Sequence, residues 1–583
     1  MARNIFAGFS LPVDDSSTSD ESEVSDEEDD EWQPSVPEDP TGSTTSSSDD
    51  DDDASAYTEQ APSAINNVPN ADSHNHIETN QADGERHDEV GENKILGKDK
   101  STLWYSRPVP ELRIPRKNVF TLPKNQTPFT DHVVSPTEAF LLYMNDNMIQ
   151  TIVDCTNREG EQARQDKWET TDATEMKAFI GCLLHTGALH QNRISVDLLF
   201  SPVHGNPLLR AAFSMKRFSN LLNHIRFDNK DTRSVLRSRD VFAPIRDIWE
   251  LFHSNLARYY VPGENITVDE QLVGFRGRCR FIQYMPNKPD KYGIQIFWAC
   301  DSLSNYPLRG CPYLGKEKRS ALPEKTNVGI ASEIVVSLTR DFHGSGRNIT
   351  TGNYFTHLQL AETMAKSRLT LVGTVKRNKT FLPQDFQQKK HLPLNDSAFL
   401  FRPETTLVSY QSKKQKNVLL LSTKHNVPDI DSTNASKKPE IVLYYNKTKG
   451  GVDAMDQMAK AFTVKRKTKR WPLVVFFNMI DLASIAARVI YQCKYPTSSL
   501  AHGDNRQLFN IDVAQCLTLT QILRRSGQTH QDIVRQNITN ENEAEKNVNR
   551  DSRCEQKYSD SGWITPSRRG KVIELEVNIE GYS

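Results

Sequence analysis

The chain has 583 residues, and 37% of them are hydrophobic. This length exceeds that of one typical domain, so we expect a soluble protein of several domains. Residues 1–100 carry 5 basic and 27 acidic side chains, whereas 101–583 carry 67 basic and 48 acidic ones. An acidic arm attached to a basic body favours a polyanionic partner such as nucleic acid.

The cysteines and the apolar segments exclude several classes of protein. The eight cysteines form no Cys-x-x-Cys pair, which argues against a disulfide scaffold and against zinc fingers. The most apolar stretch, 473–490, contains Asn478, Asp481 and Arg488, and no charged-then-apolar leader opens the chain. We therefore expect neither a membrane span nor secretion, but a reducing intracellular compartment.

Residues 1–100 contain two acidic runs, 26–31 and 49–53, and very few large apolar side chains. Such a segment cannot bury enough apolar surface to offset the entropy of ordering it, so we predict a disordered acidic arm. The arm either binds protein partners or only keeps the chain in solution, and the sequence leaves both open.

Helix signals begin at Ser135, where Ser at the N-cap, Pro at the first helical position and Glu at the third precede an apolar run. Asp172, with a Glu three residues later, indicates a second helix start. Amphipathic spacing indicates further helices at 218–225 and 241–260. These patterns predict a helical module at 118–265.

Strand patterns dominate the next part of the chain. They predict, in order, strands at 266–269, 292–299 and 306–314, a helix at 333–342, a strand at 347–351, a helix at 358–366 and a strand at 369–375. Three consecutive strands indicate a meander, and the strand-helix-strand order after them is typical of a mixed α/β sheet.

The chain then becomes less regular. The Lys-rich segment 376–435 is polar and irregular, which indicates an insertion. A strand pattern resumes at 441–445, and 452–462 have helical spacing. A basic cluster at 465–470 precedes an apolar helix that begins at Trp471.

Three aspartates are candidates for catalysis. Phosphodiester cleavage without a protein nucleophile usually uses two divalent cations, roughly 4 Å apart, held by carboxylates from separate elements. Asp269 closes the first predicted strand, and Asp453 and Asp456 share one face of a predicted helix. Each aspartate alone is also compatible with a capping role.

The residues around these aspartates form several long motifs. They read Thr267-Val-Asp-Glu-Gln-Leu-Val-Gly-Phe-Arg-Gly277, Tyr284-Met-Pro-Asn-Lys-Pro-Asp-Lys-Tyr-Gly-Ile294, Gly373-Thr-Val375, and Tyr444-Tyr-Asn-Lys-Thr-Lys-Gly-Gly-Val-Asp-Ala-Met-Asp-Gln-Met458 with Arg470-Trp-Pro472. Together they closely resemble the piggyBac-type transposases over roughly residues 118–500.

The resemblance implies an α/β fold in which an RNase-H-like mixed sheet is interrupted by an insertion and flanked on both sides by helices that dimerise and bind DNA. It implies magnesium-dependent cut-and-paste transposition at TTAA targets, with double-stranded DNA as the partner of a homodimer. Asp269 would be the first catalytic carboxylate and Asp453 the third, both as magnesium ligands, with Asp456 assisting. The expected boundaries are a disordered acidic arm at 1–117, helical parts at 118–265 and 459–535, core parts at 266–375 and 436–458, an insertion at 376–435 and a loose tail at 536–583.

The second catalytic carboxylate is missing. The family motif Asn-Ile-Thr-Cys-Asp-Asn-Trp-Phe-Thr corresponds to Asn348-Ile-Thr-Thr-Gly-Asn-Tyr-Phe-Thr356, so Gly352 stands where an Asp is expected. Asn353 would point to the other face of a strand, and a neutral amide is a poorer ligand for a hard cation. Asp341, eleven residues earlier, would need a loop to bring it in. Because misplacing the attacking oxygen by about 1 Å costs on the order of a hundredfold, we predict that turnover is lost.

A second departure concerns the C-terminus. Many family members carry a cysteine-rich zinc module there, but after residue 500 this chain has only Cys516 and Cys554. These are too few for a zinc site, so no zinc is expected and specific recognition of transposon ends is in doubt.

Candidate DNA contacts remain, because the body is basic. They are Lys376, Lys379, Lys465, Arg466, Lys467, Lys469 and Arg470. These side chains could instead solvate the insertion and a helix end, and a nuclear importer could read the cluster at 465–470. We predict a nuclear location.

The leading hypothesis is a piggyBac-derived, domesticated DNA-binding protein that has lost strand cleavage. The rival is an active magnesium-dependent transposase that cuts at TTAA sites with a substitute ligand. A third hypothesis is a protein that acts mainly through protein partners bound by the acidic arm.

Overall fold

The computed structural model describes residues 94–108, 120, 125–315, 329–388, 392–414, 416–433, 435–500 and 505–527. The predicted disorder up to residue 93 and the predicted loose tail at 536–583 lie outside these residues. The first helices are α1 (Pro136–Leu141), α2 (Asp146–Arg164), α3 (Ala173–Ala188), α4 (Val196–Leu199), α5 (Pro207–Ala212), α6 (Met215–His224), α7 (Lys230–Arg239) and α8 (Arg246–Tyr259).

Both predicted helix starts are confirmed. The Ser135 side chain accepts a hydrogen bond from the backbone N–H of Glu138, and the Asp172 side chain accepts one from Glu175. These caps satisfy N–H groups that have no partner inside the helix. The helix predicted at 241–260 begins later, at Arg246, because a single 3-10 turn precedes it.

The strands are β1 (Lys94–Leu96), β2 (Leu103–Tyr105), β3 (Asn125–Gln126), β4 (Tyr260–Val261), β5 (Asn265–Gly274), β6 (Ile282–Tyr284), β7 (Tyr292–Asp301), β8 (Pro307–Pro312), β9 (Asn348–Thr351), β10 (Thr370–Thr374), β11 (Ser397–Arg402), β12 (Thr405–Lys413) and β13 (Lys416–Ser422). Eleven of these described strands form one sheet in the order β1-β2-β11-β12-β13-β10-β9-β5-β7-β6, with β8 also paired to β7. The other two, β3 and β4, pair with each other.

The centre of the sheet has the predicted RNase-H-like arrangement. Strand β7 is antiparallel to both β5 and β8, which confirms the meander. Strands β5, β9 and β10 are parallel to one another. Helix α9 (Ile330–Thr339) precedes β9, and helix α10 (Leu358–Lys366) makes the crossover from β9 to β10. The predicted α/β fold class is therefore confirmed. Helical segments precede and follow the strands of the core along the chain, as predicted.

The prediction that 376–435 is irregular was wrong. Strands β11, β12 and β13 form an antiparallel meander, and β13 pairs with β10, so these strands extend the main sheet. Residues 405–411 are buried on both faces of the sheet. The burial of these residues and the cross-strand pairing stabilise the strands, although the lysines at the strand ends disfavour strand structure.

The disordered arm was also predicted to extend too far. Strands β1 and β2 lie within 1–117, and β2 pairs with β11 at the edge of the sheet. Trp104 is fully buried, and its indole N–H donates a hydrogen bond of 2.8 Å to the carbonyl oxygen of Phe381. The apolar triplet 103–105 supplies the buried surface that the acidic runs lack.

The strand predicted at 441–445 is instead part of helix α11 (Glu440–Thr448). Ile441 and Val442 are buried, and Pro439 occupies the N-cap. A short apolar run does not distinguish a strand from a half-buried helix, which explains the error. Helices α12 (Gly451–Ala461), α13 (Trp471–Lys494) and α14 (Arg506–Ser526) follow.

Helix α13 is the central helix of the core. It is the one described helix that is long and apolar enough to cross a membrane, but 94% of its most apolar stretch is buried inside the protein. It packs against α1, α8, α12 and strand β5. The predicted apolar helix from Trp471 is therefore confirmed as a buried structural element.

Candidate functional site

Gly352 lies beside Asp269 because of the pairing between β5 and β9. The parallel register pairs Val268 with Thr351, so Asp269 and Gly352 are the next residues along their chains. A Cβ atom added to Gly352 would lie 3.9 Å from Asp269 Oδ1, with no other non-neighbouring heavy atom within 4 Å. The Cβ atom of an aspartate at position 352 would therefore meet no clash and would lie beside Asp269.

Asp453 reaches the same site from α12. The Thr267 hydroxyl on β5 donates a hydrogen bond of 2.7 Å to the Thr448 carbonyl oxygen, which holds the junction between α11 and α12 against the strand. A Cβ atom on Gly451 would lie only 2.7 Å from Thr267 Oγ1, so only glycine permits this approach. Asp453, two residues later, projects from the first turn of α12.

Asp453 acts electrostatically on Asp269. Asp269 is half-buried, and burial followed by repulsion from Asp453 and Glu270 raises the pKa of Asp269 to about 7. The backbone N–H of Glu270 donates a hydrogen bond of 2.9 Å to Asp269 Oδ1, which acts in the opposite direction. The structure thus brings Asp269 and Asp453 together across 184 residues of sequence.

Sequence reasoning missed a cation at this site. Lys288 Nζ lies 3.8 Å from Asp453 Oδ1 and donates a hydrogen bond of 3.2 Å to the carbonyl oxygen of Glu270. Its attraction lowers the pKa of Asp269 against the effect of burial. The spacing of Lys288 from the aspartates along the sequence does not show that they meet. The one sequence feature that could have pointed to Lys288 is the motif 284–294, which contains it.

Asp456 lies in a different environment from Asp453. It is buried, and its carboxylate accepts hydrogen bonds from Gln271 Nε2 at 3.0 Å and from Lys460 Nζ at 2.7 Å. Gln271 also exchanges hydrogen bonds with Asn478 and accepts one from the Trp298 indole. Asp456 therefore joins a buried polar network that fixes α12 against β5 and α13.

The residues at this site do not fit the two magnesium ions that the resemblance implies. In the described part of the chain, no group of three or more His, Cys, Asp or Glu side chains is arranged to hold a metal ion. The site offers Asp269 and Asp453, with an ammonium beside them and a glycine at the third corner. Hard cations need more oxygen ligands and less positive charge nearby.

Neither Asn353 nor Asp341 lies where it could replace the missing carboxylate as a metal ligand. Asn353 is exposed and follows Gly352 at the end of β9. Asp341 forms an ion pair with Arg309, in which Oδ2 and Nη1 are 2.7 Å apart. No described contact connects either side chain with Asp269.

Lys376 borders the site at the end of β10. Its Nζ lies 5.6 Å from the ring centroid of Tyr354, which is 43% exposed and stacks on Phe297. Burial raises the pKa of Glu270, and attraction by Lys288 and, more weakly, by Lys376 opposes that shift. Lys379 is half-buried, and burial lowers its pKa.

The basic cluster at 465–470 divides into two groups. Three of its side chains donate hydrogen bonds to backbone carbonyl oxygens: Lys465 to Gly274, Arg466 to Ile194 and Arg470 to Asn223. The side chains of Lys467 and Lys469 are exposed. Trp471 packs against Phe242 and Phe281 in the core. Within this cluster, Lys467 and Lys469 are therefore the two exposed basic side chains.

Asp481 on α13 holds the start of this basic loop. Its carboxylate accepts hydrogen bonds from the Thr463 hydroxyl at 2.6 Å and from the Val464 N–H at 2.9 Å. Burial raises the pKa of Asp481 to about 7, although these hydrogen bonds oppose the shift. Sequence reasoning treated this residue only as an interruption of an apolar stretch.

The profile of a family described as Transposase IS4 matches residues 135–487. The human PiggyBac transposable element-derived protein 3 is 22% identical over 376 residues, which cover 59% of this chain and 60% of that protein. The human Chimeric ERCC6-PGBD3 protein is also 22% identical over 376 residues, which cover 59% of this chain and 33% of that protein. The chain thus spans less than two thirds of the length of either relative.

The fold is similar to that of a solved structure, a cryo-EM structure of the piggyBac transposase synaptic complex with hairpin DNA. The TM-score is 0.65 and the sequence identity is 36%, and the match covers 72% of this chain and 87% of the other. The likeness therefore extends to the sequence as well as the fold.

Asp481 makes the stability of the fold depend on pH. Because its pKa is raised to about 7, the folded chain keeps a proton that the unfolded chain, with an Asp pKa of about 3.9, has lost. Stability is therefore reduced as pH rises from about 4 to about 7. Asp481→Asn should remove this loss. Between pH 4.5 and pH 8, the free energy of unfolding should fall by at least about 1.4 kcal/mol less in Asp481→Asn than in the unaltered chain, as measured by urea unfolding at both pH values.

Asp247→Asn provides the control, because Asp247 is an exposed carboxylate in the first turn of α8. Its effect should be the same at both pH values. A pH dependence that is identical in Asp481→Asn and in the unaltered chain would contradict the assignment.

Proposed function

Because this chain belongs to the piggyBac-type family of transposases, we propose that it is a transposase-derived protein that binds double-stranded DNA without cutting it. The observation that carries the proposal is the open position at Gly352, 3.9 Å from Asp269 Oδ1. One of three converging carboxylates is absent there, so metal ions and the attacking oxygen are poorly held.

The rest of the fold supports retention of the scaffold. The network of Gln271, Asp456 and Asn478 is hydrogen-bonded throughout, and α13 is a well-buried core helix. Paired buried polar groups are typical of an intact native fold. The paired network favours a domesticated role that uses the folded body. A nuclear location is proposed from the basic cluster at 465–470, and a homodimer from the family resemblance.

DNA binding is proposed from the relative and from the charge of this chain. The solved relative is described in a synaptic complex with hairpin DNA. Residues 101–583 carry 67 basic and 48 acidic side chains, and Lys376, Lys467 and Lys469 are exposed. Contacts between such lysines and phosphates would give affinity with little sequence preference.

Restoring the missing carboxylate tests the loss of cleavage. With magnesium and a supercoiled plasmid that carries TTAA sites, the unaltered chain should nick DNA no faster than Asp269→Ala. Gly352→Asp should nick at least about tenfold faster, because it returns a carboxylate to a position with room for it. The double variant Gly352→Asp with Asp269→Ala is the control and should be inactive.

Nicking by the unaltered chain that disappears in Asp269→Ala would contradict the proposal. That outcome would support the rival hypothesis of an active transposase with a substitute ligand.

A salt series tests DNA binding. Affinity for duplex DNA, measured by filter binding, should fall steeply between about 50 and 200 mM salt. Lys376→Gln and Lys467→Gln should each weaken binding and reduce the salt slope by about 1, because each removes one phosphate contact. Lys366→Gln is the matched control, since Lys366 is exposed and precedes β10, at the opposite end from Lys376. Binding that does not respond to salt would count against the proposal.

A further inference from the structure

We propose that residues 97–104, called the strap from this point, extend the DNA-binding surface of Lys376 and Lys379, and that Lys98 and Lys100 contact DNA phosphates. The inference rests on the proposed function, because it adds two contacts to the same interaction with double-stranded DNA. Sequence reasoning placed the strap in the disordered arm and selected neither of its lysines.

The strap covers the loop that follows β10. Three successive carbonyl oxygens of that loop accept hydrogen bonds from it. The bonds are those from the Asp99 N–H to Thr380 (2.9 Å), from the Trp104 indole N–H to Phe381 (2.8 Å) and from the Lys98 N–H to Leu382 (3.0 Å). Lys379 directly precedes these three residues, so the strap runs beside a candidate DNA contact.

The turn of the strap is fixed by Gly97 and Asp99. A Cβ atom on Gly97 would lie 2.7 Å from the carbonyl oxygen of Phe381, so only glycine permits this approach. The Asp99 carboxylate accepts hydrogen bonds from the N–H groups of Ser101 at 3.0 Å and Thr102 at 2.8 Å. The one acidic side chain of the strap is therefore engaged inside the turn, while the lysines on either side of it are exposed.

The backbone of Lys100 does not favour a lysine. Its φ is 57°, in the left-handed region that glycine and asparagine adopt at lower cost. The N–H of Lys100 donates a hydrogen bond of 2.9 Å to the Gly97 carbonyl oxygen, a bond that any of these residues could make. The turn geometry alone gives no reason for a lysine at this position, whereas a phosphate contact would use its charge.

The charge of the chain changes sign at the strap. Residues 1–93 carry 2 basic and 26 acidic side chains, whereas residues 94–107 carry 4 basic and 1 acidic. The basic residues thus begin where the chain pairs with the folded body. A polyanion that binds the body would meet the strap as part of the same basic surface.

The four lysines of this surface have no acidic partners. Lys98, Lys100 and Lys376 are exposed, and Lys379 is half-buried. None of them forms an ion pair with Asp or Glu in the part of the chain that the structure describes. Burial, followed by repulsion from Lys376, lowers the pKa of Lys379. Duplex DNA, with one negative charge per roughly 1.7 Å of helix axis, supplies the charge that would offset these lysines.

Filter binding of duplex DNA to the full chain across a salt series tests the proposal. Lys98→Gln and Lys100→Asn should each weaken binding and reduce the salt slope by about 1, and the double variant should reduce it by about 2, because each lysine supplies one phosphate contact. Asparagine accepts the left-handed conformation, so Lys100→Asn keeps the turn. Lys100→Arg retains the charge and should keep the slope of the unaltered chain.

Lys437→Asn is the matched control. Lys437 is also exposed and also left-handed, with a φ of 43°. It follows Ser436, whose carbonyl oxygen accepts a hydrogen bond from Tyr410, and Tyr410 and Trp104 belong to separate apolar clusters. The control variant should bind DNA like the unaltered chain. Circular dichroism checks that each variant is folded.

The proposal is overturned if the folded double variant keeps the affinity and salt slope of the unaltered chain, or if Lys437→Asn loses as much. It is also overturned if Lys100→Arg loses as much as Lys100→Asn, since the charge would then not be responsible. The proposed function fails by a different result, salt-independent or absent DNA binding by the unaltered chain, so the two failures are distinguishable.

Discussion

The parallel pairing of β5 with β9 is the constraint on which the site depends. Its register places Asp269 next to Gly352, and both strands lie in the centre of the sheet, where every residue of β9 is buried. A shift by one residue would turn every side chain of a strand to the other face, so this register cannot adapt to a lost ligand. The chemistry available at that corner is therefore decided by the side chain at position 352.

The same scaffold does not need the missing carboxylate. Asp453 is positioned by the contact of Thr267 with the Thr448 carbonyl and by Gly451, and Asp456 fixes α12 through Gln271. An additional carboxylate beside Asp269 would add repulsion to a site that already raises the pKa of Asp269 to about 7. A glycine at position 352 thus avoids added repulsion at this site, in line with the common trade between stability and activity at functional sites.

Much of the site could be predicted because it lies in long motifs. The motif around Gly352 identified the missing acid, and helical spacing placed Asp453 and Asp456 on one element. The sequence could not distinguish the environments of Asp453 and Asp456, because residues three apart share a broad helix face. Only the packing shows that Asp456 is buried while Asp453 is exposed. Lys288 was missed because a turn residue reaches the carboxylates through tertiary packing alone.

The fold shows the same limits. The central strands and the helix caps were readable from alternation and from Ser135 and Asp172, which act locally. Strands β11–β13 were hidden by lysines at their ends, and α11 was mistaken for a strand because its apolar run is short. In both cases tertiary burial decided the outcome over local pattern.

The central claim is that the acids around Asp269 no longer hold a pair of metal ions. Crystals soaked in manganese and measured at its absorption edge test this most directly, because each ordered ion gives an anomalous peak. The account predicts no pair of peaks between Asp269 and Asp453. Two fully occupied ions roughly 4 Å apart, bridged by Asp269 and by an acid from elsewhere in the chain, would contradict it.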